Sequence, residues 1–250
     1  MLCTILLLSV LNINDGIKSV KKIKQMIESV GGHFNKRNRP INQVSVIDIV
    51  NAESKIESAN FIRSNFSQAL LFDQLEDIHN YIITQLDAEG LLLEFGVYSA
   101  RSIKRFSKQI VNLNDKRIIY GFDSFQGIEE DWHRFPAKLK SSFKIAPPKV
   151  PSNVKLVIGK VQETFENFLN QHQNEKIAFM HLDMDTYTPT KFVLEKARNF
   201  FDTGTIILFD ELYGYPNWQQ HEYLALTEVL APEDYEFIVF GSEQCAIKIR

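Results

Sequence analysis

Four short apolar runs in this chain each end in a carboxylate: LLLEFG at Glu94, IIYGFD at Asp123, IAFMHLDMD at Asp183 and Asp185, and TIILFDE at Asp210 and Glu211. Runs of Ile, Leu, Val and Phe of this length, separated by helical patterns, read as strands of a parallel sheet covered on both faces. Ligands of such sheets bind outside the carboxyl ends of the strands. The pattern therefore gathers six acidic groups along one rim. Like charges there repel one another unless they meet hydroxyls, ammonium groups or a metal ion.

Strand and helix alternate through the rest of the chain. Strands are expected at 91–95, 117–123, 154–158, 177–183 and 205–210, and helices at about 100–112, 161–171, 189–202 and 217–230. EFIVFG, a Ser-Glu-Gln turn and CAIKIR read as a closing antiparallel hairpin. Together these describe an open, mostly parallel α/β sheet with one reversed strand. Ahead of it, Leu71, Leu75, Ile78, Ile82 and Leu86 recur at helical spacing and predict one continuous helix from about Ser64. Residues 1–63 read as an N-terminal extension with modest helical periodicity. Residues 64–250 read as the ligand-binding domain.

Charge and cysteine content narrow the partners. The 28 basic and 31 acidic residues leave a net charge of −3, with no global bias toward nucleic acid or anionic membrane. Cys3 and Cys245 sit at opposite ends and suggest no disulfide framework, which favours a reducing, cytoplasmic setting. The opening MLCTILLLSVL is too short to span a bilayer, and neither a preceding basic residue nor a cleavage motif accompanies it. It is expected to stay on a protein with no stable membrane anchor. The basic run at 18–24 reads as a solvated helix face.

The first rim motif, Glu94-Phe95-Gly96-Val97-Tyr98-Ser99-Ala100-Arg101-Ser102, runs from a strand through a tight turn into a helix N-terminus. It contains no GxGxxG, and Ala100 stands where a later glycine is usual. A carboxylate two residues before Gly96 repels a pyrophosphate and suits a cationic ligand. Both features argue against an NAD(P)-dependent oxidoreductase. Asp123 ends the next strand, 29 residues further on. An acid there can accept both hydroxyls of a ribose, with Ser124 and Phe125 offering a donor and a flat apolar surface beside it.

Taken in order, EFGVYSARS, YGFDSFQG, VIGKVQETF, LDMDTYTPT and LFDELYGYPNW resemble the class I S-adenosylmethionine-dependent methyltransferases. More narrowly they resemble the macrocin O-methyltransferase group, which methylates sugar hydroxyls. The similarity covers about residues 64–250. It implies a Rossmann-like sheet ordered 3-2-1-4-5-7-6 with its last strand antiparallel and the cofactor over the first strands. It implies that Glu94 and Gly96 flank the methionine part of S-adenosylmethionine, Asp123 the ribose, and the segment Gly159 to Gln162 the adenine, with Tyr98, Ser102 and Ser124 completing the set. The implied acceptor is a small molecule or glycan, a homo-oligomer stays open, and residues 1–63 are implied to cap the acceptor site or make an oligomer contact. A methyltransferase fold kept only for binding is the rival reading.

The remaining acids suggest the chemistry. An alcohol hydroxyl is a poor nucleophile at neutral pH, and a bound Mg2+ or other divalent cation lowers its pKa. Asp183, Asp210 and Glu211 are hard oxygen donors suited to such an ion. Asp185 is the first choice of general base, His221 the second and Tyr213 the third. Asp185 has an alternative use as a cap for a helix opened by Pro189. His33, His79, His133 and His172 read as bystanders, and His181 as a packing or pairing residue inside a strand. Trp132, His133 and Phe135 read as loop packing or a lid.

Overall fold

The computed structural model describes residues 45–128, 130 and 144–250. The N-terminal apolar run, the basic run at 18–24, His33 and the cluster of Trp132, His133 and Phe135 lie outside the described residues. The chain divides into two compact units, 1–53 and 54–250. In the first, the described residues are 45–53, which begin helix α1 (Val46–Asn65). Ser45 and Asp48 close its N-terminus reciprocally: the Asp48 carboxylate accepts from the Ser45 N–H at 2.9 Å, and the Asp48 N–H donates to the Ser45 hydroxyl at 3.2 Å.

The second unit is built on an eight-stranded sheet. Its strands are β1 (Leu70–Leu71), β2 (Leu91–Phe95), β3 (Ile119–Asp123), β4 (Val154–Ile158), β5 (Ile177–Leu182), β6 (Ile206–Phe209), β7 (Tyr235–Phe240) and β8 (Cys245–Ile249). Their order is β1-β7-β8-β6-β5-β2-β3-β4. Counted from β2, seven of them run 3-2-1-4-5-7-6, as the resemblance implied. β8 lies antiparallel to both β6 and β7, whereas β1 pairs in parallel with β7 at the edge. Dinucleotide dehydrogenases keep the order 3-2-1-4-5-6 without this inserted strand.

The helices are α2 (Leu75–Thr84), α3 (Arg101–Asn112), α4 (Val161–Gln171), α5 (Tyr187–Ala197) and α6 (Glu222–Val229). The continuous helix expected from Ser64 does not form. α1 ends at Asn65, residues 70–71 join the sheet, and α2 begins at Leu75. The cause is the edge of β7, whose backbone groups need partners. Leu70 and Leu71 pair with Val239 and Phe240, and the Phe72 N–H donates to the Phe240 carbonyl at 3.0 Å. Leu71 is left exposed, and the apolar stripe begins in earnest at Ile78 and Ile82. No helix among the described residues is long and apolar enough to cross a membrane.

Side chains alternate across the strands. Leu91, Leu93, Phe95, Met180, Leu182, Ile207 and Phe209 pack in one core with residues of α4, α5 and α6. Leu92, Phe179, Ile206 and Leu208 pack in the other with α2 and α3. Glu94 and His181 are opposite each other in the β2–β5 register and fall on this second face, where the His181 ring meets Phe106 of α3 at 5.3 Å. Two polar groups are thus buried beneath the rim.

Candidate functional site

A cavity of about 420 Å3 opens at the carboxyl ends of the central strands. Gly96, Tyr98, Asp123, Ser124, Gly159 and Gln162 line one part, and Asp183, Asp185, Asp210 and Glu211 line another. Ten residues singled out from sequence therefore share one cavity. Lys160, within the Gly159 to Gln162 segment, lines it as well, as do Arg101, Glu130 and Thr188, for which the sequence suggested no role.

The first part is shaped by backbone. Gly96 has φ +91, and a Cβ there would overlap the carbonyl oxygen of Asp183. Glycine alone lets the end of β2 pass so close to the end of β5. Ala100, in place of a usual glycine, adopts the left-handed conformation at φ 61 and ψ 34 and forms the N-cap of α3. Tyr98 and Phe125 are also left-handed, at φ 43 and 54. Asp123 holds both of these turns. One carboxylate oxygen accepts the Tyr98 N–H at 2.7 Å and the other the Phe125 N–H at 2.6 Å. Each oxygen keeps a second lone pair for a ligand.

Glu94 and Ser102 were expected beside the cofactor, and neither is among the lining residues. Glu94 is fully buried. One of its oxygens accepts the Ser102 hydroxyl at 3.0 Å, and the other lies 3.1 Å from His181 Nδ1. The pair braces the start of α3 from below.

The acidic part is staggered along two strand ends. The Asp183 N–H donates to the Phe95 carbonyl and the Asp210 N–H to the Leu182 carbonyl, each at 2.9 Å. Burial, with the charge of Asp210, holds the Asp183 carboxyl well above the usual carboxylate range. Burial pushes Asp210 upward too, but His181, His79 and Gln244 together outweigh it and the net shift is downward. His181 Nε2 stands 3.9 Å from Asp210, an ion-pair distance beyond hydrogen-bond reach. Unequal surroundings thus separate two neighbouring carboxyls.

A further carboxylate, Glu222, joins from α6. It is fully buried, and one oxygen accepts the Glu211 N–H at 3.4 Å. Burial first, then the charges of Glu211, Asp210 and Asp185, raise its carboxyl well above the ordinary range. Glu211 is fixed from the other side by the Tyr215 hydroxyl, which donates to its carbonyl at 3.1 Å.

Two expectations are corrected here. Asp185 does not cap the following helix: Thr186 is the N-cap of α5, which starts at Tyr187 with Pro189 inside its first turn. Asp185 itself is left-handed at φ 63, a conformation that Asp adopts more readily than most residues with a side chain, and lines the cavity. Tyr213 is unsuited to act as a base. Its buried hydroxyl donates to the carbonyls of Gly241 and Gln244 at 2.9 and 2.8 Å, and burial drives its pKa upward. His221 forms the N-cap of α6 and is not among the lining residues; burial lowers its pKa against the opposing charge of Glu130. His172 pairs with Glu175 at 2.6 Å, away from the cavity.

Residues 93–212 match a family model described as a methyltransferase domain. No curated protein matches the chain. Among solved structures, the calicheamicin methyltransferase CalS11 is similar with a TM-score of 0.57 and 22% identity, over 94% of this chain and 92% of that one. CalS11 described as a TDP-rhamnose 3′-O-methyltransferase is similar in its apo form at 0.52 and 22%, over 93% of each chain. The O-methyltransferase NovP is similar at 0.56 and 16%, over 70% of this chain and 78% of that one. Likeness at these identities is a likeness of fold. The matched segment, just under half of the chain, begins in β2 and ends just past Glu211, so the span that supplies the cavity is the span similar to a methyltransferase domain.

Proposed function

We propose that the chain methylates a hydroxyl of a sugar or glycosylated small molecule, assisted by Mg2+ or a similar divalent cation, in the cytoplasm and without a nucleic-acid or membrane partner. The observation that carries this reading is that Asp183, Asp185, Asp210 and Glu211 open into the same cavity as the turns at Gly96 and Asp123. The donors are hard oxygens, and the burial that disfavours ionised Asp183 is a cost that a divalent ion offsets.

When bound, S-adenosylmethionine supplies an electrophilic methyl on a sulfonium, and a divalent ion lowers the pKa of the acceptor hydroxyl. Asp123, fixed by the N–H groups of Tyr98 and Phe125, turns its remaining lone pairs to the ribose hydroxyls. The Gly159–Gln162 turn borders the adenine, and Ser124 the space between. Glu94 and Ser102 hold the methionine end of the site from beneath. Asp183, Asp210 and Glu211 hold the cation. Asp185 would take the acceptor proton as the methyl passes from sulfur to oxygen, the cofactor supplying the methyl and leaving as S-adenosylhomocysteine; His221 is the second candidate for that proton.

Calorimetry with S-adenosylhomocysteine tests the cofactor half. Asp123→Ala is expected to weaken binding by about 1–3 kcal/mol, the cost of hydroxyls left without an acceptor. Asp123→Asn, whose single amide oxygen can hold only one of the two turns, separates the loss of one turn from the loss of both. Labelled methyl transfer to a panel of nucleotide sugars, TDP-rhamnose among them, tests the acceptor half. A folded wild type with no affinity for S-adenosylhomocysteine would sink the reading.

A further inference from the structure

From Ser54 onward α1 belongs to the second unit, and the helix lies outside the segment similar to a methyltransferase domain. Its buried residues are two serines one turn apart, Ser54 and Ser58. A buried hydroxyl is costly unless it is hydrogen-bonded. The Ser58 hydroxyl donates its single proton to the Ser54 carbonyl at 2.7 Å. Its oxygen is then an acceptor, and it takes the Gly214 N–H at 2.9 Å. Both bonds are formed, and they join α1 to the segment that follows β6.

Gly214 sits in a narrow place. Its φ is +96, and a Cβ there would meet the Ser242 carbonyl oxygen at 2.7 Å and Glu243 Cγ at 2.8 Å. Residues 211–215 thus run between α1 and the turn that joins β7 to β8. Lys55 Nζ, 3.0 Å from Glu243 Oε1, ties these two walls together. The Leu212 N–H donates to the Glu243 carbonyl at 2.9 Å. Phe61, one turn beyond Ser58, seats α1 against Tyr213 and Trp218, with ring centroids 5.7 and 5.2 Å away. The Tyr215 hydroxyl, next to Gly214, closes the segment onto the carbonyl of Glu211, which lines the cavity.

We infer that Ser58 is a positioning residue for Glu211: by holding the Gly214 N–H it keeps residues 211–215 on one path and Glu211 in its place at the rim. No residue of α1 lines the cavity, so the helix acts on the site through this segment. The assignment rests on the cation reading proposed above, in which Glu211 is one of the ligands. Metal ligands are held by hydrogen bonds around them, and loss of such support costs about 10–100-fold in metal affinity.

The test is Mg2+ and S-adenosylhomocysteine calorimetry on the full chain, with urea denaturation showing that each variant is folded. Ser58→Ala removes the acceptor and leaves a strong helix former in α1. Ser58→Thr and Ser58→Val match in shape and differ only in the hydroxyl. Ser58 acts one step behind the ligand, so Ser58→Ala is expected to weaken Mg2+ binding about tenfold, with S-adenosylhomocysteine affinity within about twofold of wild type. Ser58→Thr should bind Mg2+ more tightly than Ser58→Val by a similar factor.

Unchanged Mg2+ affinity in Ser58→Ala overturns the assignment alone. Equal losses for Mg2+ and S-adenosylhomocysteine also overturn it, since they mark a general loosening of the fold. Equal Mg2+ affinity in Ser58→Thr and Ser58→Val does the same, because shape and not the hydroxyl would then decide. A wild type that binds S-adenosylhomocysteine but no Mg2+ removes the cation reading and the assignment together.

Discussion

Glu222 is the first residue of α6 and shares its buried stripe with Ala225, Leu226 and Val229. An acid at the i position of an i, i+3, i+4, i+7 apolar pattern was a signal available in the sequence, and the motif-led reading passed over it. Its meaning needed Glu211 beside it, which only the turn after β6 supplies. The burial of His79 was not readable either, because its neighbours Arg105, His181 and Asp210 come from three other elements. Asp123 and Gly96 were legible because residue type and strand-end position together imply their task. The raised carboxyl of Glu222 sets a sign for stability: its contribution is fully present below the ordinary Glu value of 4.5 and is lost as pH rises through the folded value. Glu222→Gln keeps the shape and removes the ionisation. The variant is therefore expected to gain on wild type between pH 5 and 8, by about 1 kcal/mol or more. Urea denaturation across that range measures it, and parallel pH profiles would contradict the raised carboxyl. Gly96→Ala should cost about 2 kcal/mol or more in the same assay, because the added Cβ meets the Asp183 carbonyl at a left-handed position.

At the scale of elements, β2, β5 and β6 were readable because buried parallel strands are short and almost wholly apolar, whereas the half-exposed edge strand β4 carries Lys155. The break between α1 and α2 was not, because helical spacing runs through Leu71 and Leu75 while the open edge of β7 claims residues 70–71. A long-range pairing overrode a local pattern. α4 shows how an element sets the site at a distance. Its Phe165 meets Phe95 edge-on at 5.0 Å and Phe122 at 5.4 Å, and those two rings stack at 4.8 Å just below the cavity. The residues before and at the start of α4, Gly159 to Gln162, line the cavity. Phe165→Ala should cost about 3–5 kcal/mol of stability. It should also weaken S-adenosylhomocysteine binding in the fraction that stays folded, because α4 loses its seat. A shifted denaturation midpoint with unchanged cofactor affinity would separate the packing from the site.

At the scale of the whole sheet, strand order reverses between β2 and β5: β3 and β4 lie to one side, β6 and β8 to the other. A crevice forms where connections diverge from such a point, and the cavity lies there. β2, β3 and β4 lead into the residues proposed for the cofactor, and β5 and β6 into the acids proposed for the cation. This division predicts two separable ligand responses. Each ligand stabilises the native state by RT ln(1 + [L]/Kd), about 2.7 kcal/mol at a hundredfold excess over Kd. Wild type should gain thermal stability from S-adenosylhomocysteine and from Mg2+ alike. Asp210→Ala should keep the first gain and lose the second, and wild type in excess chelator should match it until Mg2+ is restored. The Mg2+ response must also depend on pH. The Asp183 carboxyl is held above the ordinary range and must give up its proton to bind a cation, so affinity should fall as pH drops through its folded value. Calorimetry in buffers of different ionisation enthalpy would show proton release on binding. A Mg2+ response that persists in Asp210→Ala, or that releases no proton, would move the cation away from this rim and leave the acids as direct contacts to the acceptor.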